Sequence, residues 1–394
     1  MSHPQGGHPG GHPGGLSHGA AGERAAHDNW MTRLDFNVTP FTVIWEVTRA
    51  CALRCIHCRA VAQPKRHPDE LTTAEGLKLL DEIKGFGSPV FVFTGGDPLM
   101  RRDLPELIAH AKNIGLRTAL TPSATKLVTR ERLQACQDAG IARIAVSLDG
   151  PNAEVHDAFR GFAGSFDRTM EILDDLRSLE LPFQLNSTVT TLNEQLLDEM
   201  AQLVGESGAV QWSVFFLVPT GRAEAEHMVS PERHEEIMHW LADLSERAPF
   251  DIKSTAAPFY RRVAIQRQKA AQTGGPVTFA GAGFRYEDGL DRPVQGVNDG
   301  KGFVFVSHIG EVFPSGFLPL YAGNIREQPL AEIYRESQLF RDLRDPTKLE
   351  GKCGACDYRV VCGGSRGRAY GVTGNPFAAD PACAYLPDMA KAAG

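Results

Sequence analysis

From residue 41 onward, short β-branched or aromatic runs alternate with amphipathic stretches that carry helix-start signals. The runs predicted as strands are Thr42 to Val47, Val90 to Thr94, Arg117 to Thr121, Arg143 to Leu148, Phe183 to Val189 and Gln211 to Phe216. Between them, Thr72 with Glu75 and Asp103 with Glu106 predict capping boxes, and Ser230-Pro231 places a proline at a first helical position. Repetition of strand and helix implies parallel strands joined by right-handed crossovers. Six such strands fall short of the eight that close a barrel, so the expectation is an α/β fold built as a partial barrel with an open side, its ligands at the carboxyl ends of the strands.

The rhythm changes after residue 250. Residues 272 to 302 are Gly-rich and loop-like, Gly302 to Pro314 predicts a hairpin turning at His308 to Gly310, and a helical pattern spans Leu330 to Leu343. The expected division is a tail at 1–28, a barrel at 40–250, a linker at 251–300 and a C-terminal unit at 301–394. The tail, rich in Gly, His and Pro, has nothing to bury and is expected to be disordered. Its His3, His8, His12, His18 and His27 predict a weak adventitious metal site rather than a metal-delivery device.

Composition narrows the function classes. With 394 residues, 42% of them hydrophobic, the chain can bury an enzyme-sized core. Lys+Arg of 41 against Asp+Glu of 48 gives 41 − 48 = −7, which provides no positive field for nucleic acid or anionic lipid. No apolar run approaches the roughly 18 residues of a membrane span, and no export signal is evident, so no membrane partner and a cytoplasmic location are expected.

Eight cysteines in a reducing compartment point to metal ligation or catalysis rather than disulfides. Cys51, Cys55 and Cys58 share one loop, and Cys353, Cys356, Cys362 and Cys383 gather near the C-terminus. Cys136, three residues from Leu133 on one helix face, is expected in the core. The first group, C-x3-C-x2-C, offers three corners for a 4Fe4S cube and leaves one iron open to a small chelating molecule. A zinc knuckle would want a fourth donor, which His57 could supply only with awkward loop geometry.

This spacing, placed after the first strand, resembles the radical SAM superfamily. In that family S-adenosylmethionine (SAM) chelates the open iron, and one electron cleaves it to methionine and a 5′-deoxyadenosyl radical that abstracts hydrogen from an unactivated C–H bond. The resemblance covers about residues 40 to 220 and implies a partial (β/α)6 barrel. His57 stands where an aromatic residue is usual. Gly95, Gly96 and Asp97, in Gly95-Gly96-Asp97-Pro98, resemble the family's GGEP element, whose backbone contacts the SAM amino group. Similarity to related members implies that Ser147 and Arg160 meet the SAM carboxylate or ribose. Asn186 is a further candidate for the ribose, although it and Asp149 would serve equally as turn caps.

The four C-terminal cysteines, C-x2-C-x5-C-x20-C, suit a 4Fe4S cube or a zinc ion by spacing alone. The segment resembles the SPASM extension of radical SAM enzymes, with Ser315 and Arg366 where cysteines of another cluster would stand. That similarity implies one auxiliary cluster, suited to electron transfer. The spacing is also similar to that of radical SAM enzymes that trim side chains of haem precursors, which implies a haem-precursor substrate. Arg101, Arg102, Arg222, Arg359, Arg366 and Arg368 are then candidates to meet propionates. Maturation of a ribosomally made peptide is the alternative enzyme, and a non-catalytic iron-sulfur electron carrier the alternative of another class. The expected partners are a small-molecule or peptide substrate and an electron donor such as flavodoxin or ferredoxin. No catalytic acid or base is assigned.

Overall fold

The computed structural model describes residues 34–271 and 296–388. The histidine-bearing tail and most of the Gly-rich stretch lie outside the described residues. One sheet of ten strands organises the chain: β1 (Thr42–Glu46), β2 (Val90–Thr94), β3 (Arg117–Leu120), β4 (Arg143–Ser147), β5 (Phe183–Val189), β6 (Gln211–Phe216), β7 (Asp251–Thr255), β8 (Phe303–Val306), β9 (Glu311–Phe313) and β10 (Gly323–Asn324). In space they run β10-β9-β8-β1-β2-β3-β4-β5-β6-β7.

Strands β1 to β6 pair in sequence order and are all parallel. The helices between them are α1 (Thr73–Lys84), α2 (Leu104–Asn113), α3 (Arg130–Asp138), the pair α4 (Ala153–Arg160) and α5 (Ser165–Ser178), and α6 (Leu197–Ser207). Strand β5 alternates buried and half-buried residues, while β6 is buried on both faces except at Phe215. These are the patterns of strands roofed by helices. The resulting core packs Trp45, Phe91, Phe93, Leu107, Trp212 and Met238 with Leu133 and Cys136 of α3. A partial (β/α)6 barrel with a C-terminal extension is therefore present, and all six expected strands exist.

Helix starts divide. Thr72 and Glu75 form a complete capping box, and Ser230 caps α7 (Pro231–Arg247) by accepting from the Arg233 N–H at 3.1 Å. Asp103 starts α2 without a side-chain cap, contrary to expectation. Its carboxylate is drawn instead to Arg101, at 3.0 Å from Nε, and to the Thr73 hydroxyl at 2.8 Å, stronger partners than a helix N–H.

Beyond residue 250, the segment expected as a linker contains β7, which joins β6 in parallel, and α8 (Tyr260–Ala270). The expected hairpin forms as β8 and β9, but β8 also lies parallel to β1, with Thr42 opposite Phe303 and Trp45 opposite Val306. The C-terminal extension thus continues the barrel's own sheet. The expected helix at 330–343 is two, α9 (Leu330–Glu336) and α10 (Gln338–Arg344), followed by α11 (Gly351–Gly354) and α12 (Arg366–Thr373). Among the described residues, no helix is long and apolar enough to cross a membrane.

Candidate active site and auxiliary metal centre

The first three cysteines lie on a loop that leaves β1 and is tied to its neighbours by backbone bonds. Cys51 N–H donates to Gln63 O at 2.8 Å and Gln63 N–H to Arg49 O at 2.9 Å, closing the loop at its base. Arg54 and Ile56 donate to Arg160 and Phe159 at the end of α4, and Arg222 donates its N–H to Cys58 O at 3.0 Å and its Nε to Cys55 O at 2.9 Å. Close approach needs glycine at two places. A Cβ on Gly96 would sit 2.4 Å from Ala50 O, and one on Gly221, at φ +69°, 2.4 Å from Cys58 O.

This loop faces a cleft of about 1030 Å³, measured out to its open mouth. Cys51, Cys55 and Cys58 line one side. The carboxyl ends of the strands supply the rest: Thr94 to Gly96 after β2, Thr121 to Ser123 after β3, Ser147 and Asp149 at β4, Asn186 and Thr188 on β5, and Phe215 to Val218 at β6. Phe317 from the C-terminal extension covers part of it and stacks 6.2 Å from Phe215. The structure so brings together five strand ends and the cysteine loop that follows β1, where parallel α/β folds place their ligands.

Within the cleft, Arg160 is the strongest electrostatic feature. Its Nη1 lies 3.1 Å from Asp149 Oδ2, both groups are buried, and its Nε has no partner. Burial pushes the Asp149 carboxyl up, but His57 and Arg160 beside it outweigh that and hold it below the usual range. Asp149 also accepts from Thr188 N–H at 2.8 Å, so it fixes the arginine rather than capping a free turn. His57 Nε2 stands 3.8 Å from the same carboxylate, and its buried Nδ1 has no partner. Asn186, which lines the cleft, accepts from Gln184 Nε2 at 2.9 Å.

The Asp97 side chain is turned toward its own loop, whatever its backbone presents to the cleft. Its buried carboxylate accepts from Thr125 Oγ1 at 2.6 Å and from Leu99 N–H at 3.2 Å, and it does not line the cleft. The shorter acid caps its own turn and pins it to the loop after β3. Ser123 bridges the same pieces, donating to Gly96 O at 2.7 Å and standing 3.5 Å from Cys51 Sγ.

None of the arginines expected to meet propionates lines the cleft. Arg101 is buried against Asp103, Val47 O and Leu71 O; Arg366 and Arg368 are buried among backbone carbonyls; Arg222 holds Cys55; Arg102 and Arg359 are exposed and do not line the cleft. The cleft-lining arginine missed by sequence reading is Arg59. It packs 4.4 Å above the Phe305 ring, pairs with buried Glu46 at 3.0 Å and contacts the site where Gly316 leaves room. Its position directly after Cys58 is the signal that could have found it.

The four C-terminal cysteines line a second hollow of about 370 Å³, with Arg262, Lys352, Tyr358 and Tyr385 around it. Buried thiols resist ionisation, and burial pushes Cys362 up to about 12 and Cys51 and Cys55 upward as well. Metal binding must therefore displace their protons. Among the described residues, no three cysteine sulfurs lie within 4.8 Å of one another. One tetrahedral zinc with bonds of about 2.3 Å would hold its sulfurs roughly 3.8 Å apart, whereas a cube separates its corner ligands more widely. Neither thiol set is drawn together to the separation a single zinc ion would impose.

The second hollow is anchored to the first site. Asp380 N–H points at Cys353 Sγ (3.3 Å), and the Asp380 carboxylate pairs with Arg368 at 3.2 Å. Arg368 in turn donates to Leu217 O (3.1 Å), Phe216 O (3.2 Å) and Ala256 O (2.7 Å), the first two being residues of the cleft wall. Ser315 and Arg366, which stand where a second auxiliary cluster would need cysteines, hold loops instead: Ser315 Oγ accepts from Phe317 and Leu318 N–H, and Arg366 Nη1 donates to Pro376 O and Ala378 O.

Comparison with known proteins places these sites in context. Residues 45–204 match the family model of the radical SAM superfamily, and residues 298–357 that of the SPASM iron-sulfur cluster-binding domain. An AdoMet-dependent heme synthase from Methanosarcina barkeri is 42% identical over 348 residues, 88% of this chain and 97% of its own. One from Oleidesulfovibrio alaskensis is 40% identical over 395 residues, 100% of this chain and 98% of its own. Among solved structures, Streptococcus suis SuiB bound to S-adenosylmethionine superposes with a TM-score of 0.65 at 14% identity, covering 88% of this chain and 78% of that one.

Proposed function

The chain belongs to the radical SAM superfamily, and from that premise we propose that it acts on the side chain of an iron-porphyrin haem precursor, as a haem-forming enzyme. The observation that carries the reading is similarity over 88–100% of the chain, at 40–42% identity, to heme synthases in a chain whose three-cysteine loop faces a cleft of mixed polar and aromatic lining. When bound, its iron-sulfur clusters and SAM supply one-electron cleavage, hydrogen-atom abstraction and an acceptor for the electron released on oxidation.

In this reading Cys51, Cys55 and Cys58 hold the catalytic cluster, and Cys353, Cys356, Cys362 and Cys383 the auxiliary one. Gly95 and Gly96 present bare backbone to the SAM amine. Arg160, aimed by Asp149, offers its unpartnered Nε to the SAM carboxylate, a charge-assisted bond that few other side chains could direct so well. Ser147 and Asn186 stand near enough to the same space to meet the ribose. Phe215 to Val218 and Phe317 form a wall that suits a flat macrocycle and excludes water, while Arg59 offers a cation to a carboxylate. Residues 40–250 carry the SAM chemistry and 301–394 the auxiliary cluster. A flavodoxin or ferredoxin supplies the electrons. The peptide-maturase reading is weaker because the high-identity relatives carry heme-synthase names.

The test is turnover of anaerobically reconstituted, reduced protein with SAM and iron-coproporphyrin deuterated in its propionates. Deuterium in 5′-deoxyadenosine together with a porphyrin product lighter, for each propionate carboxylate lost, by carbon dioxide and the one abstracted deuterium, with one electron passed to an acceptor, supports the reading. SAM cleavage with no deuterium transfer and an unchanged porphyrin contradicts it.

A further inference from the structure

Arg366 is a cation in an unusual place. It is 2% exposed, donates Nη1 to Pro376 O and Ala378 O at 2.8 Å each, and points Nη2 at Cys353 Sγ from 3.8 Å. Among the described residues, no carboxylate oxygen lies within 4.0 Å of it to form an ion pair. The nearby acid, Asp380, is engaged by Arg368 and by the N–H groups of Ser365 and Ala382. Gly364 keeps the approach open, since a Cβ there would fall 2.4 Å from Arg366 Nη2 and 3.1 Å from Cys353 Sγ.

A buried guanidinium that hydrogen-bonds only neutral carbonyls, with its nearest carboxylate, Asp380, shared with Arg368 and beyond ion-pair distance, is costly unless a further anion compensates it. Four thiolates around a cube provide that anion, and its negative charge grows by one on reduction. We infer that Arg366 is a positioning residue that raises the reduction potential of the C-terminal cluster, by directing its positive charge onto the Cys353 sulfur. Charge and hydrogen bonds at the sulfurs are established levers on cluster potential. The effect suits a cluster that accepts the electron left after substrate oxidation. The inference rests on the reading that the four cysteines hold a cube.

The experiment uses the full chain, reconstituted anaerobically, with Arg366→Met, Arg366→Gln and Arg366→Lys. Iron and zinc are quantified, and the midpoint potential of each cluster is followed by electron paramagnetic resonance during a redox titration. The expected result is a lower midpoint for the C-terminal cluster in Arg366→Met and Arg366→Gln, substantial recovery in Arg366→Lys, and no shift of the Cys51/Cys55/Cys58 cluster. Should Met destabilise the loop, Gln keeps donors to the carbonyls and still lacks the charge. An unchanged C-terminal midpoint in Arg366→Gln, with iron content intact, overturns the inference alone. Zinc in place of the second cluster in the unsubstituted protein overturns the four-cysteine cube as well.

Discussion

Replacing Asp380 by asparagine tests how the auxiliary centre is fixed to the cleft. The change keeps the size of the side chain and removes its charge, leaving the Arg368 guanidinium at 0% exposure without its carboxylate, 3.2 Å away. Breaking one half of a buried ion pair costs about 3–5 kcal/mol, because the partner's charge stays desolvated. The five donor contacts of Arg368 to backbone and carboxylate favour the upper part of that range, since the guanidinium cannot swing out to water. With unfolding entropy of roughly 2.1 cal/mol/K per residue, a chain of this length gives about 0.8 kcal/mol/K, so the melting temperature should fall by roughly 4–6 °C. The assay is thermal unfolding under anaerobic conditions with cluster content matched between variants. A fall below about 1 °C would refute the reasoning, since it would mean that Arg368 finds water or another anion.

Other outcomes follow from single groups. Arg160→Met should weaken SAM binding about ten- to 150-fold, the ~1.5–3 kcal/mol of a hydrogen bond to a charged group, measured by titration of the unreduced protein; a change under twofold would remove Arg160 from the SAM site. His234, buried between Phe216 and Phe259, is brought down to about 4 by burial. Its contribution is therefore fully present above the unfolded value near 6.5 and is lost as pH falls toward 4, about 2 kcal/mol being gone at pH 5. The melting temperature of the native chain should drop more between pH 7 and pH 5 than that of His234→Gln, and parallel profiles would contradict this. Cys356→Ala should leave SAM cleavage intact but stop product formation, and equal loss of both would count against a relay role.

Particular residues show why some of this was legible in the sequence. Strands β2, β5 and β6 announce themselves by alternating or continuous apolar runs bounded by turn residues, and the thiol loops by their spacing. Strand β7 does not, because Asp-Ile-Lys-Ser-Thr buries only Ile252 and exists through its register with β6. No local pattern tells β8 to lie beside β1, as that pairing joins residues some 260 positions apart. Side-chain direction was equally hidden. Asp97 has the charge expected of its motif, yet its shorter stem turns it to Leu99 N–H and Thr125. Arginine content predicts carboxylate partners, but Arg101 and Arg368 find theirs inside the fold, in Asp103 and Asp380, and Arg366 binds buried carbonyls, whereas Arg59, directly after Cys58, reaches the cleft.

The decisive measurement is electron paramagnetic resonance of the reduced Cys353→Ala/Cys356→Ala/Cys362→Ala protein, stripped of three of the four auxiliary ligands so that the Cys51/Cys55/Cys58 cluster is observed alone, before and after SAM is added. A changed spectrum, with hyperfine coupling to labelled nitrogen of the SAM amine, is the predicted result. An identical spectrum at saturating SAM would contradict the account.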